Sequence, residues 1–214
     1  MAEDSRLVIM DFDGTLVDGE TIDVLAELAG VEDEVARITE MAMKGELEFG
    51  EALRRRVRLL AGSPASLLYE AAKRLRPSPG VREFLATAKE LGAKVVVVSG
   101  GFTDVVEEFR RKLGLDEGYA NEIVVKDGLL TGKVYGPVMS SEAKGRIMDI
   151  LCTRYGVRPS DVVAVGDGAN DAPMLKRAGL SIGFRPKEIL LDVVDHVVDH
   201  LGEAADFLTE HWGQ

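Results

Sequence analysis

The sequence predicts an α/β protein: a parallel sheet covered by helices, with an all-helical insert near its start and a small β-hairpin further on. Three observations lead there. Short β-branched runs alternate with helical patterns over most of the 214 residues. Two of the runs are apolar nearly throughout, as strands covered on both faces are. One stretch, 18–76, carries helical periodicity and no strand-like run.

Taken in order, LVIMDF (7–12) is the first strand. ETIDVLAELAG (20–30), VEDEVARITEMAMKG (31–45), FGEALRRRVRLLAG (49–62) and PASLLYEAAKRL (64–75) then have helical spacing. RPSPG (76–80) punctuates the return to the sheet. SPGVREFLATAKELG (78–92) opens with Ser and Pro and closes with Gly, the start and stop signals of a helix. AKVVVVSG (93–100) is the second strand and FTDVVEEFRRKLGL (102–115) the helix after it. EIVVKDGLLTGKVYG (122–136), two apolar runs around KDG, predicts the hairpin. SEAKGRIMDILCTRYG (141–156) is helical, and DVVAVGD (161–167) and LSIGF (180–184) complete the sheet. The domain expectation is a catalytic core of 1–17 and 77–214, hairpin included, with a helical cap of 18–76.

Composition narrows the function. The net charge is −11, which opposes nonspecific nucleic-acid binding and attraction to anionic lipid. No apolar run approaches the roughly 20 residues of a membrane span. MAEDSR at the N-terminus is acidic and unlike a secretory signal. Cys152 stands alone, so no internal disulfide forms, and a cytoplasmic location is expected. Side-chain amides occur only at Asn121, Asn170 and Gln214. His196 and His200 are four apart, a metal spacing on a helix, but DHVVDH (195–200) reads as a short strand and a turn. His211, Trp212 and Cys152 read as structural.

Ligands of open parallel sheets bind beyond the C-terminal strand ends. Three strands end there in polar or glycine-rich sequence: DFDGT (11–15), SGG (99–101) and GDGAND (166–171). Asp and Gly also end strands simply because they favour turns. Yet Asp11 and Asp13, two apart, share one side of an extended chain, and Asp167 and Asp171 converge on the same rim. Carboxylates this close repel, a divalent cation offsets the repulsion, and oxygen-only ligands favour Mg²⁺. SGG offers a hydroxyl and backbone N–H groups ahead of a helix, which suits phosphate, although such loops are common without one. Lys144, alone, reads as a solvated lysine near a helix start. Together these pieces form a phosphoryl-transfer site: metal, anion cradle, fixed cation and nucleophile.

DFDGTLV, VVSGG, Lys144 and GDGANDAPML resemble, in the same order, the four motifs of the haloacid-dehalogenase-like superfamily. The insert from Gly19 to Leu60 resembles the helical cap of the phosphoserine phosphatases. Gly14 stands where some members carry Ser, and FRPKEIL (184–190) is less typical, which leaves the role of that loop open. The resemblance implies a Rossmann-like core and hydrolysis of O-phospho-L-serine to L-serine and phosphate, a step of serine biosynthesis, through an aspartyl-phosphate intermediate with Mg²⁺. It implies that Asp11 attacks phosphorus and that Asp13 is the general acid and then base. Metal ligands would be the Asp11 carboxylate, the Asp13 backbone carbonyl and the Asp167 carboxylate. Ser99, Gly100 and Lys144 would hold the phosphate, Asn170 would orient the substrate, and Asp171 would support the metal water or Lys144.

Periodicity ranks the three arginines of ALRRRVRLL equally, since each step turns a helix by about 100°. The resemblance selects Arg56 as the clamp on the substrate carboxylate and Glu20 as the partner of its ammonium. On its own, Glu20 is a favourable charge at a helix N-terminus. Met43 and Phe49 would wall the site from water, and both also read as ordinary cap core. The partner expected is a small phosphomonoester, with no nucleic acid and no membrane, and a monomer or homodimer. Three alternatives stay open: another small phosphomonoester, phosphotransfer to an alcohol, and a noncatalytic phosphometabolite sensor. A dehalogenase is disfavoured, because Asp13 supplies an acid that carbon–halogen cleavage does not need.

Overall fold

The computed structural model describes residues 6–213; the acidic N-terminal residues 1–5 and the amide of Gln214 fall outside them. The chain runs β1 (Leu7–Met10), β2 (Val17–Asp18), α1 (Thr21–Ala29), α2 (Glu32–Met43), α3 (Phe49–Leu59), α4 (Ser66–Arg74), β3 (Arg76–Pro77), α5 (Val81–Glu90) and β4 (Lys94–Phe102). It continues through α6 (Thr103–Leu113), β5 (Glu117–Lys126), β6 (Leu129–Tyr135), α7 (Ala143–Tyr155), β7 (Val162–Gly166), α8 (Ala172–Leu175), β8 (Leu180–Phe184), β9 (His196–Val198) and α9 (Leu201–Trp212).

Seven strands form one sheet in the order β6-β5-β4-β1-β7-β8-β9, parallel except for the β5/β6 pair. The apolar runs are continuous because both faces are covered. Val8 and Met10 of β1, with Val95 and Val97 of β4, pack into one core with Phe84, Phe109 and Leu208 of α5, α6 and α9. Leu7, Ile9, Val96 and Val98 pack into a second core with Met148 and Leu151 of α7 and Leu175 of α8. A strand's period of two thus splits each run between two layers.

Connections leave β1 toward β4 on one side and later reach β7 on the other. The crevice beyond β1, β4 and β7 is therefore a topological switch point, the usual ligand site of such sheets.

The sheet differs from expectation at one edge. β5 begins at Glu117, pairs first with β4 in parallel and then turns outward to pair with β6. The hairpin is therefore an extension of the sheet rather than a separate excursion. The start of β5, five residues before the hairpin, was hidden because EGYAN carries no apolar run. DHVVDH does supply a strand, β9, followed by a turn.

Helices α1–α4 lie between the antiparallel pair β2/β3. Their apolar faces, with Leu25, Val35, Leu53 and Leu68, join the first core. A second attachment is made by backbone: Gly62 N–H donates to the Leu130 carbonyl (2.8 Å), Leu130 N–H to that of Ser63 (2.9 Å) and Ala65 N–H to that of Gly128 (2.9 Å). The insert is thereby stitched to the hairpin tip. Among the described residues no helix is long and apolar enough to cross a membrane.

Candidate active site

Asp11 follows the last residue of β1, and its N–H donates to the Val165 carbonyl of β7 (2.9 Å). That bond fixes the chain where two buried strands meet. Its Oδ1 accepts from the N–H of Phe12 (2.6 Å) and lies 2.6 Å from Lys144 Nζ. Lys144, in the first turn of α7, is wholly buried and also lies 2.5 Å from Asp171 Oδ1. Asp171 Oδ2 in turn accepts from the N–H groups of Asp167 and Gly168 (3.0 and 2.9 Å). Asp167 Oδ1 accepts from the hydroxyl of Thr15 (2.9 Å).

Carboxylate oxygens of Asp11, Asp167 and Asp171 lie within 4.8 Å of one another. With all three carboxyls ionised, against one buried ammonium, the cluster would carry −2. Burial works against the ammonium of Lys144, but Asp11 and Asp171 outweigh it and raise its pKa, so this cation is permanent. Burial, with the charge of Asp171, pushes the Asp11 carboxyl well above the usual range in spite of Lys144. Asp167 is pushed up to about 6, again by burial and Asp171. An all-oxygen cluster short of two positive charges fits a divalent metal ion. Both oxygens of Asp171 are already engaged, so Asp11 and Asp167 are the carboxylates with oxygens to spare. Gly14, at φ +72°, keeps the approach clear: a Cβ there would lie 2.8 Å from Asp167 Oδ2.

Asp13 does not join this cluster. Its Oδ1 accepts from the N–H of Thr21 (2.7 Å) and, in a short hydrogen bond, from the Thr21 hydroxyl. The strand ends at Met10 and the chain turns at Phe12, so the two aspartates do not share one run of strand and find different partners. Burial raises Asp13, while the Thr21 bonds restrain the rise. Both aspartates still line one cavity of about 400 Å³, which also takes in Glu20, Asp23, Met43, Phe49, Arg56, Gly100, Asn170 and Lys187.

The SGG segment belongs to β4, not to a loop, with irregular register between Val98 and Phe102, and α6 starts only at Thr103. The Ser99 hydroxyl accepts from Gly101 N–H (2.8 Å) and lies 3.5 Å from Asp13 Oδ2. Buried Asn121 pins the segment by donating to the carbonyls of Gly100 (3.1 Å) and Val138 (2.9 Å). A Cβ on Gly100 would lie 2.7 Å from the Phe49 ring, so glycine there lets the cap aromatic rest on the core.

The arginine run resolves by environment. Arg54 and Arg55 are exposed and pair with Glu51. Arg56 is half-buried, with weak contacts to the Ala52 carbonyl (3.4 Å) and the Thr39 hydroxyl (3.5 Å). Burial lowers its pKa, while Glu20 and Asp23 oppose that. Glu20 precedes α1 and makes no side-chain capping bond. Burial, then the charge of Asp13, raises it to about 7. Met43, 75% exposed, sits at the rim of the cavity and does not seal it. Phe49 does pack over the core.

His196 stacks on Phe207 and His200 accepts from Gly202 N–H at the start of α9, a structural contact for each. His211 and Trp212 bond the carbonyls of Ser160 and Asp161. Sequence reasoning missed Thr15, Thr21 and Lys187. The first lies inside DFDGT and the third inside the loop flagged as atypical; nothing marked Thr21.

This chain is similar in sequence and in fold to several known proteins. A phosphoserine phosphatase of Methanocaldococcus jannaschii is 46% identical over 199 residues, covering 93% of this chain and 94% of the relative. Another, of Archaeoglobus fulgidus, is 46% identical over 192 residues, 90% of this chain, but the match spans only 56% of that longer relative. A solved structure described as a phospho-aspartyl intermediate analogue of phosphoserine phosphatase superposes with a TM-score of 0.91 at 45% identity, covering 96% of this chain and all of that one. The family model of haloacid dehalogenase-like hydrolases matches residues 5–179, which include all of the strand ends that build the charged cluster, and the chain belongs to that family.

Proposed function

We propose that the chain is a phosphoserine phosphatase that hydrolyses O-phospho-L-serine to L-serine and phosphate. One observation carries this: the Asp11–Asp167 cluster, with buried Lys144 behind it, opens onto a cavity that also presents the carboxylates of Glu20 and Asp23 and one half-buried guanidinium, Arg56. The first half suits a phosphate and the second an α-amino acid. The relatives named for that activity support it. The division of labour assigns chemistry to the core, 1–17 and 77–214, and recognition to the cap, 18–76. The lone thiol of Cys152, buried and unpaired, fits a cytoplasmic location.

Lys144 and the Phe12 N–H hold Asp11 at Oδ1 and so orient its carboxylate, one oxygen of which attacks phosphorus while the other faces the metal site. The new P–O bond forms as the ester P–O bond breaks. The departing serine oxygen takes the proton of Asp13, which burial favours in its neutral form. Water then attacks the acyl phosphate, gives a proton to Asp13, and frees Asp11 and phosphate. Lys144 and the hydroxyl of Ser99 stand where phosphoryl charge develops. Asn170, on the cavity wall, orients the ester. Asp171 holds Lys144 and the Asp167 backbone in place.

Mg²⁺ is the ion assigned to Asp11, Asp167 and the Asp13 carbonyl. When bound, it keeps the nucleophile ionised and neutralises phosphoryl oxygens. The test is a panel of phosphomonoesters, with Mg²⁺ or with EDTA, on wild type and Asp11→Asn. Preference for phosphoserine, dependence on Mg²⁺ and a loss of at least about 10⁴-fold in kcat for Asp11→Asn are expected. Equal turnover across the panel would refute the substrate, and an active Asp11→Asn would refute the nucleophile.

A further inference from the structure

Lys187 belongs to no motif used above, yet it stands at the metal cluster. Its Nζ lies 3.9 Å from Asp167 Oδ2, the oxygen that Thr15 leaves free. Its own N–H donates to the Asp167 carbonyl (2.8 Å), so the loop and the end of β7 are tied at that residue. Arg185, two residues earlier, adopts φ +44°, a left-handed turn that brings the loop back over the site. The side chain is 55% exposed while that of Asp167 is 11% exposed. It therefore reaches from solvent toward the shielded carboxylate and lines the same cavity as Asp11 and Asp13. Its charge lowers the pKa values of Glu20, Asp23 and Asp167 alike, so it acts on both halves of the cavity.

The cluster of Asp11, Asp167 and Asp171 holds more negative charge than Lys144 neutralises. A second cation on a flexible stem partly offsets the excess. A divalent ion seated between Asp11 and Asp167 would repel that same ammonium. Because the pair is separated by 3.9 Å and half in water, it is weak enough to part. We propose that Lys187 is the resident counter-ion of Asp167, holding that carboxylate while the metal is away and competing with the divalent cation for it. Lys187 is thus a positioning residue that sets metal affinity. The proposal rests on the assignment of Asp167 as a metal ligand.

The experiment is calorimetric titration of the protein with Mg²⁺ alone, without substrate, for wild type, Lys187→Met and Lys187→Arg. Lys187→Met is expected to bind Mg²⁺ about two- to fivefold more tightly at low ionic strength, the range of one partly exposed charge pair. The gap should close as salt rises past about 0.5 M, where such charges are screened. Lys187→Arg should restore wild-type affinity. The Lys187 side chain is exposed, so its replacement leaves the fold intact, which far-ultraviolet circular dichroism checks. Equal affinity of wild type and Lys187→Met at low salt overturns the inference, and so does a gap that salt leaves unchanged. Failure of the wild type to bind Mg²⁺ at all overturns instead the metal assignment beneath it.

Discussion

Asp11 and Glu20 line the same cavity, nine positions apart in the chain, and differ in almost every physical respect. Asp11 is locked by strand geometry, a buried lysine and a neighbouring N–H. Glu20 has no capping bond, and Arg56, its opposite number in charge, has only two long contacts. In the proposed assignment, the phosphate half of the site is assembled before any ligand arrives. The amino-acid half holds two charges out of water without joining them to each other. Separated charges that are partly desolvated gain most when a ligand supplies the missing partners. The difference teaches that Asp11 has its interactions satisfied within the protein, whereas Glu20 and Arg56 have them unmet, which in the proposed assignment leaves them for the substrate.

The sharpest way to break this contrast is Lys144→Met. Removing a buried cation strands two carboxylates, and such breaks cost about 3–5 kcal/mol. In EDTA, denaturant unfolding should show a loss of that order, larger at pH 8 than at pH 5. Burial already raises Asp11, and without the ammonium it holds its proton in the folded state more strongly still while the unfolded chain releases it, so stability falls as pH rises. Mg²⁺ should recover part of the loss. Turnover should fall with it. A variant as stable as wild type would show that Lys144 is not what holds the phosphate half together.

Much of that half was legible because its residues sit at strand ends. Apolar runs announce β1, β4 and β7, and topology brings their C-terminal ends to one crevice, so Asp11, Ser99 and Asp167 could be grouped from order alone. What escaped depends on tertiary approach. Thr21 opens a helix in another part of the chain and still holds Asp13. Lys187 reaches the cluster from a loop whose neighbours fix no periodicity. Three successive arginines cannot be ranked by a helical wheel, and only the partners of Arg54 and Arg55 separate them from Arg56. The hairpin itself, Glu122 to Tyr135, lies where its two apolar runs put it, but the part of β5 before it was missed because that polar segment pairs with β4 by backbone.

The cap half breaks more selectively. Arg56→Ala should lower kcat/KM for phosphoserine by about 30- to 150-fold, or 2–3 kcal/mol, the lower end of the cost of truncating one member of a shielded charge pair. An uncharged aryl phosphate should change by less than about threefold. Arg54→Ala, which removes an exposed pair, should leave both substrates within about twofold. An equal loss on both esters with Arg56→Ala would mean that this arginine supports the fold or the phosphate and not the carboxylate.

The finest discrimination is by pH. With Glu20 at about 7 in the free protein, its ionised fraction rises roughly tenfold between pH 6 and pH 8. The ratio of kcat/KM for phosphoserine to that for its deaminated analogue should rise by about the same factor, because phosphate ionisation and the common catalytic groups cancel in the ratio. Glu20→Gln should flatten it. The folding side has the opposite sign. A carboxyl whose pKa is raised in the folded state from 4.5 to about 7 contributes stability that is present below about 4.5 and lost as pH climbs through 7. Recognition therefore strengthens over the interval in which this residue's contribution to stability declines, and a wild-type ratio that stays flat from pH 6 to pH 8 would remove Glu20 from the ammonium site.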